Sequence, residues 1–338
     1  MATYSEYLEF FRRHRNETSS SKTLAYALLF KKTGSGYSTV GTKKLIDSEG
    51  ESVGLISGGC LEPEIVLHAQ EVIRSGVSKK IILNTRSPED RFFGSGAGCE
   101  GELSIFIDLL PLNIKEGDLL LHFLGVEKPG FLVHDFAAYS PLQRHRYTPH
   151  FSTPDDFNED LFVEETKPVP NALIVGAHPD SLALYQLTQF LGWRSSVIDF
   201  RSSLIEHPMW LDAPCLHRLE DSLEVSRFSC AFIMSHNYEY DLGILNKLLE
   251  GSLKFIGLLG PQKRKQKLFE DLKTIYNREP SPHQSNTIFG PVGLPVMGKN
   301  PREIALSMVH HCQFILEENT IKTIGASPSM TRVKDFVL

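Results

Sequence analysis

The stretch Ala172-Leu-Ile-Val175-Gly176-Ala177-His178-Pro179-Asp180-Ser181 sets the fold class of the carboxyl-terminal half. An apolar run ends in glycine, a short turn follows, and a helical pattern begins near residue 181 and runs to 191. That order, strand, glycine turn and helix, is how a dinucleotide-binding βαβ unit opens. The next strand, Arg194 to Asp199, ends on an acid where a ribose-binding carboxylate belongs. Further along, Cys230 to Met234 reads as a strand and 240 to 250 as a helix. Phe255 to Leu259 is the next strand and 262 to 276 the next helix. Asn300-Pro301-Arg302-Glu303 carries an N-cap, a proline at the first helical position and a glutamate three residues on, so it opens the last helix. This alternation specifies a doubly wound parallel sheet over 171–320, a Rossmann-like domain, with 321–338 as a tail. Two positions depart from the fingerprint: His178 and Ser181 stand where the second and third glycines belong.

The amino-terminal part reads differently. Tyr4, Tyr7, Leu8, Phe10 and Phe11 sit among charges in a short amphipathic helix over 3–15. Strands are expected at Leu24 to Phe30, Thr42 to Ile46, Ser52 to Ile56, Lys80 to Asn84 and Leu103 to Leu109, with a helix over 61–74 that Gly76 stops. Residues 1–110 are therefore expected to be a small α/β domain. Residues 111–170 read as a linker, with a possible hairpin of Leu119 to Phe123 against Phe131 to Asp135. The whole is α/β.

Composition sets outer bounds. In 338 residues, 41% are hydrophobic and 22% charged, an ordinary balance for a globular chain. The net charge of -6 disfavours nonspecific binding to nucleic acid or anionic membrane. No apolar run reaches the roughly 18 residues of a membrane span. Cysteines at 60, 99, 215, 230 and 312 are odd in number and form no CxxC, so neither a disulfide framework nor a zinc ribbon is expected, and a reducing cytoplasm is the simplest compartment.

Two cysteines have unusual neighbours. Ser57-Gly58-Gly59-Cys60-Leu61-Glu62 places Cys60 between a diglycine turn and a helix start. Free amides and the positive dipole end there favour an anion and a thiolate. Gly98-Cys99-Glu100-Gly101 is a second glycine-rich loop carrying a cysteine. In the other half, His236 and Asn237 follow one strand and Gly260 another, with Lys263, Arg264, Lys265 and Lys267 at the next helix start. Residues beyond strand carboxyl ends line the crevice of an open α/β sheet. Cationic residues in a first helical turn oppose the dipole, and a bound phosphate would compensate them. Cys215, Cys230 and Cys312 are expected to be structural.

These motifs together resemble the XdhC/CoxI family. The GGCxE signature is Gly58-Gly59-Cys60-Leu61-Glu62. The carboxyl-terminal half matches through Gly176 to Asp180, Leu191-Gly192-Trp193, Asp199-Phe200-Arg201, Met234 to Asn237, Gly257 to Arg264, Gly290 to Leu294 and Pro301 to Ser307. Where members often carry Pro-Arg after a first Gly-Ser, this chain has Gly36-Tyr37. The resemblance implies a cytoplasmic maturation factor, often a homodimer, that binds molybdenum cofactor (molybdopterin). It would protect the cofactor during sulfuration by a cysteine desulfurase and deliver it to the apoenzyme of a xanthine or carbon-monoxide dehydrogenase-type molybdenum hydroxylase. Cys60 would be the metal ligand. Gly58, Gly59, Glu62, Cys99, Gly176, Asp199, His236, Asn237, Gly260 and Lys263 would complete the cofactor contacts. Cysteine thiolate suits a soft metal. The two groups of loops are expected to face one cleft, within a protomer or across a dimer. The Rossmann-like half leaves two other readings open: an NAD(P)-dependent oxidoreductase, for which a nucleotide would sit near Asp199, and a scaffold that binds only proteins.

Overall fold

A computed structural model describes residues 2–16, 23–34, 38–59, 61–84, 101–152, 160–210, 216–218, 223–294 and 300–324. The chain divides into two compact units, Met1–Val169 and Pro170–Leu338.

In the first unit, helix α1 (Tyr4–Asn16) precedes a five-stranded sheet. Its strands are β1 (Leu24–Gly34), β2 (Lys43–Ile46), β3 (Ser52–Val53), β4 (Lys79–Asn84) and β5 (Gly101–Leu110), in the order β3-β2-β1-β5-β4 and all antiparallel. Alternation along β1 splits its side chains between two cores. Ala25, Ala27 and Leu29 pack with Ile65, Ala69 and Val72 of helix α2 (Glu62–Ser75). Leu24, Tyr26 and Leu28 pack with Phe10 and Phe11 of α1 on the other face. Gly76 ends α2 in a left-handed conformation, its amide bonded to the Val72 carbonyl.

The segment after Leu110 is not a linker. Leu119–Leu124 forms one π-helical turn rather than a strand, and buries Leu119, Leu120, Phe123 and Leu124 against the α1 face of the core. An apolar run this short satisfies strand and helix patterns alike. The expected hairpin is therefore absent: β6 (Phe131–Asp135) pairs instead with β7 (His145–Thr148) and β8 (Leu161–Glu165) in a three-stranded antiparallel sheet. Tyr26 donates to the Phe123 carbonyl at 2.9 Å, and Phe136 and Phe162 join the same core. The first unit thus extends through Val169, past the expected limit at 110.

The second unit is a six-stranded, wholly parallel sheet in the order β11-β10-β9-β12-β13-β14, that is, 3-2-1-4-5-6 by sequence. Its strands are β9 (Asn171–Val175), β10 (Arg194–Asp199), β11 (Leu216–Arg218), β12 (Cys230–Ile233), β13 (Phe255–Leu258) and β14 (Ile288–Phe289). Helices α3 (Pro179–Phe190), α4 (Tyr238–Leu248), α5 (Gln262–Tyr276) and α6 (Pro301–Ile324) cover its faces. Central strands buried on both faces read as continuous apolar runs, which is why β9, β12 and β13 are visible in sequence. Asn300 caps α6 by accepting from the amides of Arg302 and Glu303, each at 3.0 Å. Cys230 and Cys312 lie buried together in the core between sheet and α6, and burial pushes the Cys312 thiol up. Cys215 lies outside the described residues.

Candidate functional site

The loop from β3 to α2 carries the first group of candidate residues. Gly58 (φ 77°) and Gly59 (φ 124°) both adopt left-handed backbone conformations that disfavour side chains. Both are exposed, and nothing lies within 4 Å of where a Cβ on Gly59 would sit. The backbone there is open to a ligand's approach. Cys60 itself, Cys99 and the glycine-rich loop before Gly101 lie outside the described residues.

Glu62 does not point away from this loop; it closes it. Its Oε1 accepts from the amides of Ile56 (2.9 Å) and Ser57 (2.6 Å) and from the Ser57 hydroxyl (3.0 Å). Its Oε2 accepts from Lys44 Nζ at 2.6 Å. Burial opposes ionisation of Glu62, yet Lys44 and the two amides hold its carboxyl below the usual glutamate range. The start of α2 is poorly suited to hold an anion. Leu61 gives its amide to Ser57 Oγ at 3.0 Å, the Glu62 amide faces the Gly59 carbonyl at 3.4 Å, and Pro63 has none. Glu62 and Glu64 add negative charge to the first turn.

The second group sits at the carboxyl ends of β9, β10, β12 and β13. Gly176 (φ 111°) starts the turn after β9 because no side chain fits: an added Cβ would lie 2.5 Å from Ser235 Cα and 2.9 Å from the Met234 carbonyl oxygen. The Asp199 carboxylate is fully buried and fully used. It accepts from the Ala177 amide (2.8 Å) and from the Arg201 amide (2.9 Å), Nε (2.9 Å) and Nη2 (2.8 Å). Burial raises its pKa, but these donors outweigh that and hold it below the aspartate range. Arg201 Nη2 also reaches the Ser235 carbonyl (2.9 Å) and His178 Nε2 (2.9 Å), and His178 Nε2 lies 2.8 Å from that carbonyl. His178 and Arg201 therefore tie the turn after β9 to the turn after β12, across the point where the strand order reverses.

His236 takes a left-handed conformation (φ 57°), uncommon for a residue with a side chain. It packs edge-on to His178 and lies 3.4 Å from Asp180. Asn237 is the N-cap of α4, accepting from the Tyr240 amide at 2.9 Å. Asp241 behind it accepts from Ser235 Oγ (2.5 Å) and Arg264 Nη2 (2.7 Å). Lys265 donates to the Ile288 carbonyl at 2.5 Å. Two of the cations at the start of α5 are thus compensated inside the domain, by Asp241 and a strand carbonyl. Gly260 (φ 125°) precedes them, and Lys263 is exposed on the first turn. Gly176, Asp199, His236 and Asn237 all stand at or just beyond the carboxyl ends of β9, β10 and β12.

Among the described residues, one further trio has metal-type spacing: His14, Asp47 and Glu51. Its members are already engaged. His14 bridges the Phe10 carbonyl and Asp47, Asp47 accepts from the Glu49 and Glu51 amides, and Glu51 pairs with Arg13. The same unit holds a buried polar chain that the sequence does not announce. His134 Nδ1 lies 2.7 Å from His145 Nδ1, His134 Nε2 3.1 Å from Glu164, and Arg144 donates to both oxygens of Asp108. No helix among the described residues is long and apolar enough to cross a membrane.

Comparison with known proteins places this geometry. Residues 18–84, which carry the diglycine loop and α2, match the XdhC and CoxI family, and residues 172–311 match the XdhC Rossmann domain. The chain belongs to the XdhC and CoxI family. Among relatives of this family member, a probable xanthine dehydrogenase subunit from Bacillus subtilis is 26% identical over 304 residues, spanning 82% of this chain and 88% of that protein. The molybdenum cofactor insertion chaperone PaoD of Escherichia coli is 22% identical over 298 residues, spanning 86% and 82%. A crystal structure from Bacillus halodurans, described as a xanthine dehydrogenase, superposes with a TM-score of 0.72 at 23% identity, covering 99% of this chain and 100% of that one. That last likeness concerns the fold.

Proposed function

We propose that this family member is a maturation factor for molybdenum enzymes, one that binds molybdenum cofactor and hands it to a molybdenum hydroxylase apoenzyme. The observation that carries this reading is the exposed diglycine turn, Gly58 and Gly59. It is left-handed and open, and it stands immediately before Cys60 in a chain related to a molybdenum cofactor insertion chaperone. A thiolate beside accessible backbone fits the soft, thiol-binding metal end of such a cofactor. The residues fit the phosphate end less well at α2, where the first amides are internally bonded and two glutamates stand. Lys263 is a separate candidate contact on the second unit, exposed at the start of α5. Action on a xanthine or carbon-monoxide dehydrogenase-type enzyme, cooperation with a cysteine desulfurase, homodimer formation and a cytoplasmic location belong to the same proposal.

The oxidoreductase reading is weaker. Asp199, the residue that would meet a ribose, has its carboxylate saturated by Ala177 and Arg201, and His178 bridges the crevice where a pyrophosphate would need room. The test is to co-express the chain with the cofactor pathway and measure molybdenum and pterin in the purified protein. Cys60→Ala should remove most of both. NAD(P)H binding at micromolar concentration, with turnover of a small substrate, would favour the oxidoreductase instead.

A further inference from the structure

The signature glutamate of the diglycine loop invites assignment as a cofactor contact, because it stands two residues from the cysteine. The geometry points to a different role: we infer that Glu62 and Lys44 are a buried positioning pair that sets the shape of the cysteine-bearing loop, and that Glu62 is not itself a ligand. This inference rests on the cofactor-binding reading for its consequence, though not for its geometry.

Four observations carry it. The Glu62 carboxylate already accepts four hydrogen bonds: from Ile56 N, Ser57 N, Ser57 Oγ and Lys44 Nζ. Three of the four fall on Oε1 and the fourth, from the Lys44 ammonium, on Oε2, so both oxygens are engaged inside the chain. Three of those donors lie at the entry of the loop, so the first residue of α2 folds back and closes the chain between Ile56 and Glu62 into a ring. Ser57 Oγ completes the ring by accepting from the Leu61 amide at 3.0 Å. The two exits from this ring flank Gly58 and Gly59, whose left-handed conformations lead the chain into Cys60.

Lys44 is the second partner, and its place in the fold explains why it is there. On β2 it sits next to Lys43, and the two side chains point to opposite faces of the sheet. Lys43 pairs with Glu164 on the three-stranded sheet, whereas Lys44 faces α2 and is only 4% exposed at its side chain, against 12% for Glu62. A buried ion pair adds little net stability, but removing one partner strands a charge in the interior. Such a pair is better understood as fixing a geometry, and the geometry it fixes is the diglycine turn.

A double-substitution cycle separates positioning from ligation. Glu62→Gln alone leaves an amide donor facing the Lys44 ammonium, and Lys44→Met alone leaves a buried carboxylate without its cation. With both changes, the side-chain amide introduced by Glu62→Gln keeps an oxygen for the Ile56 and Ser57 amides and the charge conflict is gone. Each single substitution should speed hydrogen exchange at the Ile56 and Ser57 amides, and should lower molybdenum per protomer about tenfold; with the double variant near the parent, the coupling is then at the upper end for groups in contact. The double variant should return both readouts to within about twofold of the parent, an outcome that loss of a ligand would not give. Alkylation of Cys60 by iodoacetamide, followed peptide by peptide at one pH, should change in the singles and recover in the double.

If the double variant regains protected amides but stays as empty of molybdenum as Glu62→Ala, Glu62 is a ligand and the inference is wrong. If the single substitutions leave the exchange of Ile56 and Ser57 unchanged, the pair does not shape the loop and the inference is equally wrong. Exchange and alkylation need no cofactor. A parent chain that carries no molybdenum would therefore count against the proposed function alone, while those two readouts still decide the role of the pair.

Discussion

Acid should destabilise the first unit through His134. Its imidazole is fully buried between His145, Glu164 and the Phe162 ring, with Lys43 on the far side of Glu164 and with Arg144 and Asp108 beyond His145. Burial is the main cause that drives its pKa down to about 4; the charges of His145 and Lys43 add to the fall, and Glu164 opposes it. The folded chain therefore holds this histidine neutral where an unfolded chain would protonate it. The stabilisation is complete above pH 6.5 and is lost as pH falls toward 4. The gap between about 4 and the ordinary 6.5 amounts to about 3 kcal/mol in full. About 2 kcal/mol of that should be gone on passing from about pH 7.5 to about pH 5.

His145 is lowered too, chiefly by burial, and adds to the loss in the same direction. Glu164 and Asp108 are held below the usual carboxylate range against the cost of burial, so their contributions fade only below about pH 4.5. The assay is urea unfolding at the two pH values, with pulsed hydrogen exchange on peptides from β5 and β6. Both tryptophans, Trp193 and Trp210, lie in the second unit, so their fluorescence follows that unit separately. His134→Gln should flatten the pH dependence of the first unit, whatever it does to stability at neutral pH. An unchanged pH dependence in His134→Gln, or equal stability of the parent at both pH values, would refute the reasoning.

Three further substitutions probe the turns at the carboxyl ends of the strands in the second unit. Gly176→Ala forces a Cβ to within 2.5 Å of Ser235 Cα at a left-handed φ, and should cost about 3 kcal/mol or prevent folding, read by tryptophan fluorescence in urea. Arg201→Ala leaves the buried Asp199 without its cation and should cost about 3 kcal/mol by the same measurement, whereas Asn237→Ala, which removes only a helix cap, should cost about 1 kcal/mol.

Much of this architecture is legible in the chain because its elements obey one period each. β9, β12 and β13 are unbroken apolar runs between glycine turns and helices, and α6 announces itself with Asn300, Pro301 and Glu303. In the second unit, the strands that escape sequence reading, Leu216–Arg218 and Ile288–Phe289, have three and two residues, too few to show a period. The misread segment after Leu110 fails for a related reason. Leu119–Leu124 is apolar except for His122, and only its tertiary partners Phe11, Tyr26 and Phe136 show that it turns as a helix.

At the site, Gly58, Gly59 and Gly176 are readable because glycine alone suits their backbone. Roles that depend on long-range pairing are not. Nothing in Lys43-Lys44 shows which lysine meets Glu62, 18 residues away, and which meets Glu164, 121 residues away. Asp199 stands in the position of a ribose-binding acid, yet Arg201, two residues on, already occupies it. A motif fixes where a side chain stands, while its bonding depends on neighbours that the motif does not name.

The most direct test of the central claim is the molybdenum content of the purified chain after co-expression with the cofactor pathway, in the parent and in Cys60→Ala. Molybdenum and pterin should appear together in the parent, approaching one per protomer, and most of both should be lost in Cys60→Ala with the fold intact. Equal molybdenum in parent and variant would remove Cys60 from the site, and a parent free of both would contradict the proposed function.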